Sequence, residues 1–129
     1  MKRGELAKLT ACNIETIRYY EQIGLLPNPP RSMNGHRVYD EELKRRLIFI
    51  IRSRALGFST AELKGLLTLV DKHKYTCGEV QDLTKKHLET VRQKISDLQN
   101  LENSLDKMIS KCSGGGIPEC PIIDELLSV

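Results

Sequence analysis

The chain has 129 residues, enough for one compact domain with an appendage. Charged residues make up 29% and aromatics 5%, with no Trp, a mix that favours a helical protein with long solvated faces over a β-sandwich. No apolar run approaches the roughly 20 residues that span a bilayer. The start, "MKRGELAKLT", lacks the apolar core of a signal peptide, so a cytoplasmic protein without a membrane partner is expected. Net charge is only +3, but it is uneven. Residues 1–75 hold 14 Lys and Arg against 8 Asp and Glu, a net +6, and residues 76–129 hold 6 against 9, a net −3. A basic first part suits a polyanion, and the acidic second part points to a different task.

In chain order, "KRGELAKL" reads as a short helix with Leu6 and Leu9 on one face. "TACN" follows as a turn, and Asn13 can cap a second helix, "IETIRYYEQIG", which Gly24 ends. Ile14, Ile17 and Ile23 form its apolar side, and it carries Thr16, Arg18, Tyr19 and Tyr20. Helix, short turn and helix occurs in ordinary helical cores and in DNA-binding proteins; the Arg and Tyr on the second helix favour the latter, because such a helix can enter the major groove. The prolines and the Asn34-Gly35 pair of "LLPNPPRSMNGHRVYDEE" exclude a helix and favour a β-hairpin, with Arg31, His36, Arg37 and Tyr39 on or beside it. Such a basic hairpin can reach the neighbouring DNA backbone as a wing.

Asp40 is placed to cap a longer helix with Leu43, Leu47, Ile50 and Ile51 at helical spacing, closed by Gly57. Ser59 or Thr60 caps the next, "AELKGLLTLV". Residues 71–77 read as a linker. From Gly78 to about Lys111 there is neither Pro nor internal Gly. Leu88, Val91, Ile95, Leu98, Leu101, Leu105, Met108 and Cys112 form a near-heptad stripe with one slip at Leu98–Leu101. One stripe on so long a helix needs a partner helix, so a coiled-coil dimer is expected. The domain reading is therefore a winged helix-turn-helix unit at 1–70, the linker, a coiled-coil helix at 78–111, and a cysteine loop with a short terminal helix at 112–129.

Three blocks, "IETIRYYEQIGLL", "RSMNGHRVYDEE" and "RALGFSTAELKGLL", resemble the MerR family of winged-helix transcription regulators. The resemblance implies a mainly α fold and an antiparallel coiled-coil homodimer on a pseudo-palindromic operator in double-stranded promoter DNA. It implies DNA contacts from Arg18, Tyr19 and Tyr20 on the recognition helix, and from Arg31, His36, Arg37 and Tyr39 on the wing. Arg54 would support a phosphate contact. It also implies promoters with an over-long spacer, whose distortion by the induced regulator lets RNA polymerase start.

The cysteines carry a separate argument. In a reducing cytosol, Cys12, Cys77, Cys112 and Cys120 are thiols rather than disulfides. Cys77 precedes the long helix and Cys112 follows it, so the two lie roughly 50 Å apart within one chain. They cannot share a metal in one chain. In an antiparallel dimer, Cys77 of one subunit meets the partner's Cys112 and the partner's Cys120 at each end. Three thiolates suit Hg(II), Cd(II), Pb(II), Zn(II) or Cu(I). They are unlike a Ca or Mg site and fall short of the closed set of structural zinc. "YTCGEVQDLTKKHLETVRQKISDL" resembles the mercuric-ion branch of the family, in which Cys77 stands where regulators of monovalent copper, silver or gold commonly have Ser. The loop from Cys112 to Cys120 instead has the copper-type length. Hg(II) would use all three thiols, and two-coordinate Cu(I) only Cys112 and Cys120. A structural zinc adaptor and a thiol redox switch are the other readings. The three glycines supply slack for Cys112 and Cys120 to converge, and Pro118 and Pro121 limit it.

The remaining candidates are read as structural: Cys12 as packing, His87 as a surface or seam residue and Tyr75 as packing; His73 lies close to Cys77 and is a minor candidate ligand. An enzyme is disfavoured, since there is no Cys-x-x-Cys, no Gly-rich phosphate loop and no paired-His motif.

Overall fold

The computed structural model describes residues 1–112, 114–116 and 119–129. Six helices occur among them, in the order α1 (Arg3–Thr10), α2 (Ile14–Gln22), α3 (Glu41–Ala55), α4 (Thr60–Lys72), α5 (Cys77–Ser110) and α6 (Pro121–Leu127). They divide into two compact units, Met1–His87 and Leu88–Val129. The boundary falls inside α5, because Val80, Leu83 and His87 pack with the first unit.

Local chemistry sets the helix ends of the first unit. The Asn13 side chain accepts from the Glu15 N–H at 2.8 Å, and Asp40 accepts from the Leu43 N–H at 2.8 Å. Ser59 and Glu62 form a reciprocal capping box on α4. Thr76 and Glu79 repeat that pattern on α5, which makes Cys77 its first residue. Gly24 ends α2 at φ +82°, a conformation that favours glycine. The chain then turns Leu25 and Leu26 inward, and both of their N–H groups donate to the Tyr20 carbonyl.

The core of this unit gathers Leu6, Ile17, Leu25, Leu26, Leu47, Ile50 and Leu63, all essentially fully buried. Each such side chain contributes about 1.5–3 kcal/mol. Two positions of the expected apolar faces differ. Leu9 and Ile14 are exposed, leaving Leu6 and Ile17 to carry the packing of α1 on α2. Arg46 adds a polar staple: Nε donates to the Leu25 carbonyl at 2.8 Å, and its two terminal nitrogens meet the Asp71 carboxylate at 2.6 and 3.2 Å.

The expected hairpin is reduced to one antiparallel bridge, Arg31–Arg37, and no strand forms among the described residues. Pro27, Pro29 and Pro30 cannot donate to a ladder, which stops its growth. What remains is Val38 N–H to the Pro30 carbonyl at 2.9 Å, Ser32 N–H to the His36 carbonyl, and a turn closed by Gly35 N–H to the Ser32 carbonyl at 2.9 Å. Gly35 takes φ +79° there.

In the second unit, the apolar stripe of α5 has no cover within the chain. Leu88, Ile95, Leu98, Leu101, Leu105 and Ile109 are all exposed. Leu98, Leu101, Leu105 and Ile109, rimmed by Glu102 and Asp106, line an open apolar groove.

Candidate nucleic-acid interface and metal centre

Thr16, Arg18 and Tyr19 lie on the open side of α2. Arg18 and Tyr19 are exposed and Thr16 half-buried. Arg18 pairs with Glu15 at 2.6 Å, a solvated contact that a phosphate can displace at small cost. Arg31 and His36 are exposed on the wing, and Arg37 is half-buried. Lys2, Arg3, Arg31, His36 and Arg37 border one shallow cleft between α1 and the wing. A second, between α1, α2 and the wing, is bordered by Arg3, Arg18 and Arg37, with Glu21 among them. This is a concave cationic surface of the kind that follows a DNA backbone.

Two expected contacts are corrected. Tyr20 is 7% exposed and Tyr39 1% exposed, so both rings belong to the core rather than to the DNA face. Helical spacing places Tyr20 beside Ile17 on the inward side of α2, while Tyr19 points out. Tyr39 instead works through its hydroxyl, which donates to Glu21 and accepts from Arg3 Nε at 3.0 Å. Burial, followed by the Glu21 carboxylate, pushes the Tyr39 hydroxyl above its ordinary value.

Glu21 is the residue that sequence reasoning missed. Its side chain is 4% exposed, yet it receives Arg3 at 3.1 Å, Arg37 and the Tyr39 hydroxyl. One buried carboxylate thus ties α1 and the wing to the recognition helix. The partners lie 16 to 18 residues away in sequence, so no local pattern announces them. Arg54 is exposed and donates to the Phe58 carbonyl at 2.7 Å, which anchors one nitrogen of its guanidinium.

All four cysteines are free thiols. Cys77 is exposed at the first position of α5, and Cys112 is exposed just past its end. Cys120 is half-buried at the N-terminus of α6, and its thiol makes no capping hydrogen bond to that helix. Lys111 Nζ reaches Glu125 Oε2 at 3.2 Å, tying the end of α5 to α6 across the loop. Among the described residues no three metal-binding side chains converge in one chain. Pro118, expected to limit the loop, lies outside the described residues.

Cys12 packs against the core, and burial pushes its thiol above the ordinary value. Tyr75 is exposed rather than packed, and His73 takes a left-handed turn at φ +52° at the end of α4. His87 is neither surface nor seam: it is 6% exposed and stacks on Phe58. Its partners are 25 to 31 residues distant, and a lone histidine on a helix does not reveal them.

Comparisons with known proteins agree with this geometry. The profile described as "MerR family regulatory protein" matches residues 4–39, and that described as "MerR, DNA binding" matches residues 44–108. The mercuric resistance operon regulatory protein of Bacillus cereus is 41% identical over 96% of this chain and 95% of its own. The structure of the regulator PbrR691 from Ralstonia metallidurans CH34 in complex with lead(II) is 40% identical, covers 98% of both chains and superposes with a TM-score of 0.84. That of the regulator MerR from Bacillus megaterium MB1 in complex with mercury(II) is 36% identical, covers 99% of this chain and 100% of its own, and gives 0.77. With a helix-turn-helix, a minimal wing and a long helix whose apolar stripe awaits a second copy, the chain belongs to the MerR family of metal-responsive transcription regulators, DNA-binding proteins rather than enzymes.

Proposed function

We propose that this chain is a homodimeric regulator of metal-resistance genes whose inducer is a divalent thiophilic metal, Hg(II) foremost. The observation that carries this is the placement of free thiols at both ends of a single 34-residue helix. In an antiparallel pair, Cys77 of one subunit joins the partner's Cys112 and the partner's Cys120. The relatives named for mercuric resistance or solved with mercury(II) and lead(II) support a soft-metal inducer. The exposed α5 stripe supports the dimer.

Thr16, Arg18 and Tyr19 read or clamp the major groove, Arg31, His36 and Arg37 hold the flanking backbone, and Arg54 takes a phosphate. Tyr20 and Tyr39 support them from below. Promoter DNA and RNA polymerase are the partners, and the cytoplasm is where they meet. The expected divisions at 70 and 77 give way to one at His87, because α4 runs to Lys72 and the first turns of α5 pack on the core. In this reading Met1–His87 is the DNA reader, the exposed stretch of α5 the dimer helix and residues 112–129 the sensor loop. Metal binding fixes the loop, re-aims the two recognition helices and distorts the promoter, provided that the metal binds the two states with different affinity.

The test is Cys77→Ser in transcription from a bound promoter. The variant should keep its DNA affinity and lose the Hg(II) response. An undiminished response would remove Cys77 from the site. A second reading has its own support, since the Lys111–Glu125 ion pair links the residue before Cys112 to α6, which begins just after Cys120, within one chain. A two-thiolate Cu(I) site there would leave Cys77→Ser fully responsive to Cu(I).

A further inference from the structure

His87 is the one buried residue on α5. A leucine would fill such a position with less polar surface to satisfy, so the imidazole invites an explanation. Its ring stacks on Phe58 with centroids 4.0 Å apart and planes at 20°. Nε2 lies 2.8 Å from the carbonyl of Leu56, the residue that caps the C-terminus of α3. Nδ1 lies 2.9 Å from Glu62 Oε2 in the first turn of α4, too far out of line for a hydrogen bond. Gly57, at φ +86°, brings the backbone against the same ring. His87 therefore sits at the corner between α3 and α4 and touches a backbone carbonyl, an aromatic face and a carboxylate.

Phe58 makes a second contact, through its backbone. Its carbonyl accepts from Arg54 at 2.7 Å. An unbroken line of contacts thus runs from Arg54 through Phe58 to His87 on the long helix. A phosphate drawn to Arg54 would compete with the Phe58 carbonyl for the guanidinium. The corner holding His87 would then adjust. Such a line becomes a coupling only if both ends bias the same element.

We propose that His87 is a positioning residue that couples DNA occupancy at Arg54 to the first turns of α5. The inference rests on Arg54 as a phosphate contact, and the experiment tests that separately. By reciprocity, whatever alters α5 changes operator affinity by the same factor through this joint.

The experiment is hydrogen exchange on the full-length dimer, free and bound to a duplex that the wild-type chain selects from a random-sequence library. In the wild type, DNA should slow exchange across residues 80–91 by about tenfold. His87→Ala should keep its DNA affinity within about threefold, and the slowing should fall below about twofold. His87→Gln, which keeps an amide donor for the Leu56 carbonyl, should restore at least half of it. Where His87→Ala does not fold, the glutamine variant decides: retained coupling supports the joint and lost coupling overturns it. Full slowing in duplex-bound His87→Ala, or no recovery with glutamine, overturns the inference. Arg54→Ala should weaken binding and flatten its salt dependence. If it does neither, Arg54 is not a phosphate contact, and the His87 variants still report on the joint.

Discussion

The two units of this chain solve different problems. Met1–His87 buries a leucine- and isoleucine-rich core and ties its surface arginines to acceptors within the same chain. Leu88–Val129 has no buried residue among those described and exposes an apolar stripe along most of a helix. The first is complete as a single copy. The second is half of a structure, because apolar area left in water contributes nothing until another helix covers it. The first unit thus folds around its own core, and the second leaves an apolar surface for another helix to cover.

Breaking the stripe should give the largest effect. In Leu101→Lys/Leu105→Lys, two charges would replace the apolar side chains at the centre of the stripe, and the area they cover would no longer favour a second helix. Sedimentation should show a monomer, and affinity for a two-half-site operator should fall by at least about 1,000-fold. The melting of the first unit should persist. Loss of that transition together with the dimer would mean that the first unit is not self-sufficient.

Next comes Glu21→Ala, which attacks the complete unit from inside. Removing this buried acceptor leaves Arg3 and Arg37 without their counter-charge and the Tyr39 hydroxyl without its acceptor. Breaking such a pair from one side costs about 3–5 kcal/mol. Urea denaturation should show that loss, and DNA affinity should fall with it as the wing comes loose from α2. Arg46→Ala should cost less, about 1–2 kcal/mol, because Asp71 is half exposed and water can replace the arginine there. Its larger effect comes from the Leu25 carbonyl, which loses its donor.

These contrasts show what could be read from the residues alone. The caps at Asn13 and Asp40, and the third at Ser59 or Thr60, were legible because capping is local chemistry within three residues; the structure selects Ser59. The α5 stripe was legible because its period repeats. Glu21 was not, since its three partners come from α1 and the wing. Tyr20 and Tyr39 were misplaced for a related reason: a tyrosine beside arginines looks alike whether its ring faces DNA or its hydroxyl serves a buried carboxylate. The wing shrank because three prolines withhold the N–H groups that a ladder requires. The spacing of the thiols was legible too: a helix of that length keeps Cys77 and Cys112 of one chain apart. The metal stayed open because Hg(II), Pb(II) and Cu(I) all accept thiolates.

The smallest expected effect tests the corner where the complete unit holds the long helix. Glu62 accepts from the Ser59 backbone N–H at 3.0 Å and lies beside His87. The Ser59 N–H, with a smaller contribution from the neighbouring His87, holds the Glu62 carboxyl below its ordinary value. A carboxyl depressed in the folded state stabilises the fold above its unfolded pKa, and that contribution is lost as pH falls through its folded pKa. The loss therefore lies in the acid range, below the ordinary carboxylate value. Glu62→Gln keeps an acceptor for Ser59 and removes the titration. At neutral pH it should be less stable by under about 1 kcal/mol, because the side chain is a third exposed. In denaturation midpoints measured from neutral to acid pH, the gap to the wild type should close as the wild-type carboxyl takes up its proton. A gap that stays constant with pH would mean that Glu62 acts by shape alone, and the charge beside His87 would then have no part in fastening α5 to the corner.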